Sequence, residues 1–280
     1  MRRLLSVFWA VAIGILPLAL DAAEKGAAMP AFADVTEKAG VAHRHHGPVV
    51  DERLRNLGPW FTALGAGGAV GDFNNDGYED IYVTDSLNGH PNVLYRNNGD
   101  FTFTDVASLA GVAALNDKAN FSTMALFFDC DNDGWKDLLV VRFGSSLLFR
   151  NKKDGTFEDI SQQVQWPKPR NAVAAVAFDA DRDGLLDLYI GSYFPDVDLT
   201  NVKHTKLLHD SWETARNGGT NFFLKNAGSC RFVDETAKAG LGDTGWTLAI
   251  GTGDLDKDGR PDIYVANDSQ VSALAEHIFG

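Results

Sequence analysis

A nine-residue acidic turn recurs four times in this chain and limits its possible folds more than any other feature. The copies are DFNNDGYED, DCDNDGWKD, DADRDGLLD and DLDKDGRPD, which begin at residues 72, 129, 179 and 254. Each has an acidic or amide side chain at places one, three and five, a glycine at place six and an aspartate at place nine. Oxygen-bearing side chains on alternate residues, followed by a glycine that permits a sharp turn, are typical of sites for a hard cation such as calcium.

An EF-hand loop has the same initial spacing, but it requires a glutamate at its twelfth place and a helix on each side. The twelfth places here hold Val83, Val140, Ile190 and Val265, none of which binds metal. The flanking segments, such as IYV after the first turn and LLVV around the second, are short, apolar and β-branched. Such segments are typical of buried strands. We therefore predict β-hairpins that bind up to four Ca²⁺ ions.

Three of the turns are followed by a second hairpin pattern. The segments are NVLYRNNGDFTFTDV, SLLFRNKKDGTFEDI and NFFLKNAGSCRFVDET, each with an Asn, Gly or Asp turn between two apolar runs. One unit is thus four short antiparallel strands, repeated every fifty or more residues, which is typical of an all-β propeller rather than a sandwich. The predicted units span about 68–106, 124–160, 174–236 and 248–280, with an insertion at 193–220 whose centre, 203–217, is expected to be helical.

The chain resembles the FG-GAP/VCBS repeat family, which includes the integrin α-subunit head, and more narrowly its cartilage-acidic-protein-like or ASPIC/UnbV branch. The matching segments are FADVTEKAGV, GAGGAVGDFNNDGYEDIYV, LYRNNGD, FVDETAKAGL and WTLAIGTGDLDKDGRPDIYVAND. The resemblance implies a secreted or periplasmic calcium-binding propeller, usually seven-bladed, with no known chemistry at its loops.

The resemblance also implies a ligand set for each turn. The side chains are those at places one, three, five and nine: Asp72, Asn74, Asp76, Asp80, Asp129, Asp131, Asp133, Asp137, Asp179, Asp181, Asp183, Asp187, Asp254, Asp256, Asp258 and Asp262. The main-chain carbonyls at place seven belong to Tyr78, Trp135, Leu185 and Arg260.

The propeller domain is predicted to span residues 30–280, with three complete blades and one partial blade. The fourth unit is expected to stop after its calcium hairpin, and FADVT (32–36) to be an isolated outer strand. Such a chain is a truncated relative of the family, an atypical small ring or a domain with an exposed sheet edge. We expect truncation.

The first 23 residues have the pattern of a secretory signal peptide, with Arg2 and Arg3 before the apolar run 4–20 and small residues at 22 and 23. A membrane anchor is the alternative; no later segment is apolar enough to span a bilayer, so the exported chain is not expected to be membrane-spanning.

The formal net charge of −13 argues against a nucleic-acid partner. The two cysteines, Cys130 and Cys230, form either one disulfide or two thiols.

Strand parity places the four acidic turns on one face and the long connections on the opposite face, which we call the loop face. Candidate partner-binding residues there are His43, His45, His46, Trp60, Trp166, Trp212 and Trp246. Packing between blades is the alternative for the tryptophans. The histidine group suits a transition metal, but no matching carboxylate or cysteine cluster accompanies it in the sequence, so we expect a solvated loop.

These observations predict a non-enzymatic, exported scaffold that binds a protein or a glycan through the loop face. The alternative is a hydrolase or polysaccharide lyase that uses the histidines and arginines of the same face. No nucleophile elbow, phosphate loop or three-ligand zinc spacing supports that alternative.

Overall fold

The computed structural model describes residues 32–50, 52–113, 116–167, 170–196, 207–211, 213–268 and 273–275. The chain divides into a first unit, Met1–Val35, and a second unit, Thr36–Gly280. The predicted signal peptide at 1–23 lies outside the described residues. No helix in the described part of the chain has the length and apolar character needed to cross a membrane.

The second unit is built from short strands. They are β1 Gly68–Gly71, β2 Asp80–Val83, β3 Val93–Asn97, β4 Phe103–Asp105, β5 Phe121–Phe128, β6 Asp137–Gly144, β7 Leu147–Asn151, β8 Phe157–Asp159, β9 Arg170–Phe178, β10 Asp187–Phe194, β11 Phe222–Asn226, β12 Phe232–Asp234, β13 Thr247–Gly253, β14 Asp262–Asn267 and β15 Ala273–Ala275. The helices are α1 Thr36–Ala39, α2 Gly58–Leu64, α3 Ala107–Ala110 and α4 Thr236–Ala239, with 3₁₀ turns at Glu52–Leu57 and Ser161–Gln163.

Within each group, strands that follow one another in the chain pair with each other, and every pairing is antiparallel. Strands β1 to β4 form one sheet, β5 to β8 a second group, β9 to β12 a third, and β13 to β15 the last sheet. The second and third groups are joined by a short ladder between β6 and β9. The prediction of an all-β, antiparallel architecture is confirmed.

Alternate residues of the central strand β6 pack in two different hydrophobic cores, and this shows how the sheets stack. Leu138 and Val140 of β6 pack with residues of the first sheet, whereas Leu139 and Val141 of the same strand pack with Leu188 of β10 and its neighbours. Because successive side chains of a strand point to opposite faces, β6 is buried on both faces between neighbouring groups of strands. This sequential, face-to-face stacking is β-propeller-like.

Two predicted elements near the chain's repeat boundaries are wrong. Residues 32–35 form no strand, and Thr36 begins helix α1. The matching segment FVDET does form a strand, since β12 pairs with β11 and buries Phe232, while Phe32 is fully exposed. The predicted strand at 32–36 has no partner strand among the described residues, and a short strand is not stable without one.

The fourth unit also continues further than predicted. Strand β15 pairs with β14 through Ala273, Leu274 and Ala275, so this unit has a third strand after its acidic hairpin.

The expected helix at 203–217 is not seen in its described part, 207–211 and 213–217. Instead, the side chain of Asn217 closes a loop by two hydrogen bonds. Its Oδ1 accepts the N–H of Asp210 at 3.2 Å, and its Nδ2 donates to the carbonyl of Leu208 at 3.0 Å.

Asparagines of the second and third units connect neighbouring units near the acidic turns. The Nδ2 of Asn151 in β7 donates to the carbonyl of Phe73 in the first turn at 2.7 Å and to that of Lys136 in its own turn at 2.9 Å. Asn226 in β11 bonds Cys130 of the second turn in the same way, at 2.8 Å. The Nδ2 of Asn97, the first copy, donates to the carbonyl of Glu79 in its own turn at 3.1 Å, and it bonds no neighbouring unit among the described residues.

We expect Asn151→Ala to destabilise the protein by about 1–3 kcal/mol, because it leaves the buried carbonyl of Phe73 without its donor. Asn97→Ala is the matched control, since it removes the equivalent side chain without breaking a bond between units. Urea denaturation of both variants measures the difference. Equal losses for the two variants would show that the bond between units contributes nothing.

Candidate functional site

All four acidic turns share one hydrogen-bond pattern that shapes them. The carboxylate at place one accepts the N–H of the glycine at place six, at 2.8 to 3.0 Å in every copy. The carboxylate at place five accepts the N–H of the residue at place seven, at 2.8 to 3.0 Å. The place-six glycines have φ of 85° to 87°, which only glycine adopts without strain. The residue pattern thus encodes the turn locally.

Candidate ligand oxygens converge in three of the turns. Within each triad, one oxygen from each carboxylate lies within 4.8 Å of the others. The triads are Asp129, Asp131 and Asp137; Asp179, Asp181 and Asp187; and Asp254, Asp256 and Asp262. The first turn has an amide at place three, where Asn74 Nδ2 donates to Asp76 Oδ2 at 2.8 Å.

The aspartate at place nine is also a structural clamp, which the sequence did not indicate. In the second turn, Asp137 Oδ2 accepts the N–H of Cys130 at 2.9 Å and Oδ1 accepts the N–H of Asn151 at 2.8 Å. Asp80 and Asp187 make the corresponding pairs of bonds. This aspartate therefore ties the acidic turn to the third strand of its unit, whatever else it binds.

Burial of the place-nine aspartates in their charged form is electrostatically unfavourable in the absence of a cation. Burial, reinforced by the charges of neighbouring turn carboxylates, raises the pKa of Asp80 to about 6, that of Asp137 to about 7 and that of Asp187 to about 6. The pKa of Asp131 is also raised, by burial and by Asp133 and Asp129. Its Oδ1 is buried and lacks a hydrogen-bond partner. Such a donor set fits a hard cation bound by oxygen.

Lysine side chains partly offset this charge in two turns. Lys225 Nζ contacts Asp181 and lies 3.1 Å from Asp183 Oδ2, and Lys153 Nζ lies 2.9 Å from Asp133 Oδ2. These aspartates are partly exposed, so each pair contributes little to stability.

Hydrogen bonds also connect successive turns along one edge of the structure. Asn75 Nδ2 donates to the carbonyl of Gly134 at 3.1 Å, and Asn132 Nδ2 donates to that of Gly184 at 2.5 Å. The first three turns are therefore contiguous. Arg182, at the same place in the third turn, lies beside Gly259 of the fourth.

Cys130 and Cys230 form a disulfide in the structure, with 5.0 Å between their Cα atoms. Cys130 is the second residue of the second turn, and Cys230 lies between β11 and β12. Both are fully buried. The bond links the second unit to the third, which decides between the two alternatives that the sequence left open.

The tryptophans of the loop face have different environments. Trp246 is wrongly predicted as a partner-binding residue: it is fully buried against Tyr193 and Phe194, because it fills the core beneath α2. Trp166 is half-buried, and its indole N–H donates to the carbonyl of Ser161 at 3.0 Å. Trp212 lies outside the described residues.

Trp60 is the most accessible of the described tryptophans on this face, with 38% of its surface exposed. It lines an open cavity of about 410 Å³ together with Tyr193, Leu248 and Asp268. The hydroxyl of Tyr193 donates to Asp268. Tyr193 and Leu248 lie near the ends of β10 and β13, and Asp268 directly follows β14, all at the end of the strands opposite the acidic turns. Tyr193, Leu248 and Asp268 were not predicted as site residues, because they come from separate parts of the sequence.

The three histidines do not form the solvated loop that we expected. His43 and His46 contact the buried carboxylate of Asp85, and His45 Nδ1 lies 3.2 Å from the carbonyl of Thr84. The missing carboxylate is thus present, but it lies about forty residues further along the chain.

Comparison with known proteins identifies the repeat. Residues 72–126 and 129–190 match the FG-GAP-like repeat. Two segments, which together make up less than half of the chain, thus match this repeat. It is 34% identical over 124 residues to cartilage acidic protein 1 of Xenopus tropicalis, an alignment that covers 42% of this chain and 18% of that relative. The match therefore spans less than a fifth of the relative, and it supports an FG-GAP repeat family.

Two solved structures show weak similarity. One is an Agrocybe aegerita lectin that recognises non-reducing terminal N-acetylglucosamine, with 17% identity, a TM-score of 0.31, and coverage of 74% of this chain and 63% of the lectin. The other is a Bacillus licheniformis rhamnogalacturonan lyase, with 12% identity, a TM-score of 0.39, and coverage of 75% and 42%. At these TM-scores, we draw no conclusion from either structure.

Proposed function

We propose that the chain is an exported, non-catalytic binding scaffold in which calcium braces the acidic-turn edge and a protein or glycan binds the loop face. The observation that carries this proposal is the separation of the two regions. Oxygen donors converge at one end of the strands, and an open aromatic cavity lies at the other. The FG-GAP-like repeats support the same reading, and so does the disulfide, because such bonds persist in oxidising compartments.

The chemistry of the turns supports calcium as the bound ion. Up to four ions would be held by the side chains at places one, three, five and nine, with the carbonyls of Tyr78, Trp135, Leu185 and Arg260. The ion supplies positive charge where buried carboxylates otherwise repel each other. The chain's own residues provide the rest: hydrogen bonds fix each turn and connect the first three turns to one another.

The Trp60 cavity is the proposed contact surface. An exposed indole provides a large apolar area, and the adjacent carboxylate of Asp268 provides a hydrogen-bond acceptor. This combination suits a sugar ring or an apolar side chain on a partner protein. Its position beside strand ends keeps it fixed, because Tyr193 and Phe194 are packed in the core below.

We expect Trp60→Ala to weaken ligand binding at least about tenfold, since central aromatic residues dominate binding energy at interfaces. Arrays of glycans and of extracellular proteins, probed with the calcium-loaded chain, identify the ligand class. Leu109→Ala is the matched control, because Leu109 is equally apolar, 81% exposed and located on α3. Ligands that bind both variants as tightly as the unaltered chain would contradict this site, and turnover of any ligand would contradict a non-catalytic role.

A further inference from the structure

Three imidazoles surround one carboxylate at the loop-face end of the first sheet. Asp85 follows β2, and His90 lies in the connection from β2 to β3. His43 and His46 come from the segment between α1 and α2. The four side chains thus come from two separate parts of the chain, and no sequence motif connects them.

The distances within this group are short. His46 Nδ1 lies 2.8 Å and His43 Nε2 lies 3.4 Å from the same atom, Asp85 Oδ2. One ligand atom each from His46, Asp85 and His90 fall within 4.8 Å of one another. The rings of His46 and His90 have centroids 4.8 Å apart.

Burial makes this arrangement unusual for an ordinary surface loop. The Asp85 side chain is 1% exposed, and its Oδ1 accepts the N–H of Leu87 at 2.8 Å, so Oδ2 is the oxygen that faces the imidazoles. Its ion pairs among the described residues are with His43 and His46. The Nε2 of His43 is buried without a hydrogen-bond partner, although it lies only 3.4 Å from Oδ2.

We propose that His43, His46, His90 and Asp85 bind one divalent transition-metal ion, with zinc as the best fit. Imidazole nitrogens with one carboxylate oxygen form a donor set that suits zinc and its neighbours and not calcium. Ligands about 2.0–2.1 Å from a tetrahedral zinc lie roughly 3.3 Å from each other. The 3.4 Å separation of His43 Nε2 and Asp85 Oδ2 matches this value. The ligand atoms of His46, Asp85 and His90 lie within 4.8 Å of one another, so their separations need to change by no more than about 1.5 Å.

Hydrogen bonds to backbone carbonyls already hold the segments that carry His46, Asp85 and His90. The N–H of Ser86 donates to the carbonyl of His46 at 3.2 Å, which fixes the histidine segment alongside Asp85. The backbone N–H and the Nδ2 of Asn116 both donate to the carbonyl of His90, at 3.3 and 2.9 Å. Little chain ordering is therefore needed when the ion binds.

Four protein ligands leave no open coordination position, so the site is structural. The ion fastens the segment that carries His43 and His46 to the end of the first sheet. That segment leads into α2, which bears Trp60. The metal is thus distinct from the calcium of the acidic turns, both in its ligands and in its location at the opposite end of the strands.

The test is zinc binding by the exported chain without a polyhistidine tag, in saturating calcium so that the acidic turns are filled. Competition with a chromophoric chelator should give one zinc per chain. His46→Ala and His90→Ala should each weaken zinc at least about tenfold, since even the loss of outer-sphere partners costs that much. His45→Ala is the matched control from the same segment, and it should keep the full stoichiometry.

Cobalt(II) provides a readout that does not depend on variants. The calcium-saturated chain should show the intense visible absorption of a tetrahedral cobalt site, and zinc should abolish it. A weak octahedral spectrum would overturn the proposal, as would zinc binding that survives both His46→Ala and His90→Ala. Near-UV circular dichroism of the two variants confirms that they are folded, and the cobalt spectrum decides the outcome if either is not.

Discussion

Removal of calcium by a chelator should lower the melting temperature of this protein by about 10–20 °C. Each site that is tenfold above its dissociation constant contributes about 1.4 kcal/mol, so four sites contribute roughly 6 kcal/mol. One kcal/mol corresponds to about 2–4 °C for a domain of this size. Scanning calorimetry in about 10 mM calcium, which exceeds the 10⁻⁴–10⁻³ M dissociation constants typical of extracellular modules, measures the effect.

The substitution Asp131→Asn tests the role of calcium at a single turn, because its expected effect on stability differs between calcium and chelator. The variant should bind one ion fewer and melt lower in calcium. In chelator it should be no less stable than the unaltered chain, since the substitution removes repulsion with Asp129 and Asp133. Asp210→Asn, an exposed aspartate outside the turns, is the control. An unchanged melting temperature in excess chelator would refute the role of calcium.

The pH dependence without calcium provides a further check. Asp80, Asp137 and Asp187 have folded-state pKa values of about 6, 7 and 6, above the ordinary value of 3.8. Between about pH 4 and 7 the unfolded chain therefore binds fewer protons than the folded chain, and stability falls as the pH rises. The chelated protein should melt higher at pH 5 than at pH 8. With calcium bound, this decrease should disappear or reverse.

Loss of the disulfide is expected to have a comparable effect. Cys130 and Cys230 are separated by 100 residues. Closing a loop of that length lowers the entropy of the unfolded chain and so stabilises the folded protein by about 4.7 kcal/mol. Cys130→Ala with Cys230→Ala should therefore lower the melting temperature by roughly 10–20 °C. Alanine is preferred to serine, because both positions are fully buried and a hydroxyl would lack a partner.

Chemical reduction provides the control for this pair of substitutions. A reductant should destabilise the unaltered chain and leave the double variant unchanged. Both sulfurs are buried, so reduction should require opening of the second and third units. If the double variant had the same melting temperature as the unaltered chain, the cross-link would have no role in stability.

Much of the fold was predictable because its signals are local. In DCDNDGWKD, the aspartate at 129 bonds the glycine five residues later, so the sequence alone determines the turn. The apolar runs around each turn determine strands for the same reason. Predictions failed where a partner strand decides the conformation: 32–35 is not a strand, and Ala273–Ala275 is one through pairing with β14.

The candidate sites also differ in whether the sequence alone could predict them. The acidic turns were found in the sequence, because each places its carboxylates within nine residues. The Trp60 cavity and the group around Asp85 were not, because their members come from distant connections. Burial was also unpredictable for single side chains: Trp246 and Trp60 both lie in connections, but only the packing of Tyr193 and Phe194 shows which is covered.

By itself, the sequence determined the repeated antiparallel unit and its four acidic turns, because hydrogen bonds within nine residues and the alternation of apolar side chains specify both. Only the tertiary structure decided which units share a core, that Cys130 bonds Cys230, and that Asp85 meets His43, His46 and His90. These contacts depend on how successive sheets stack. That stacking is governed by the complementary packing of buried side chains from different units, which no short segment of sequence contains.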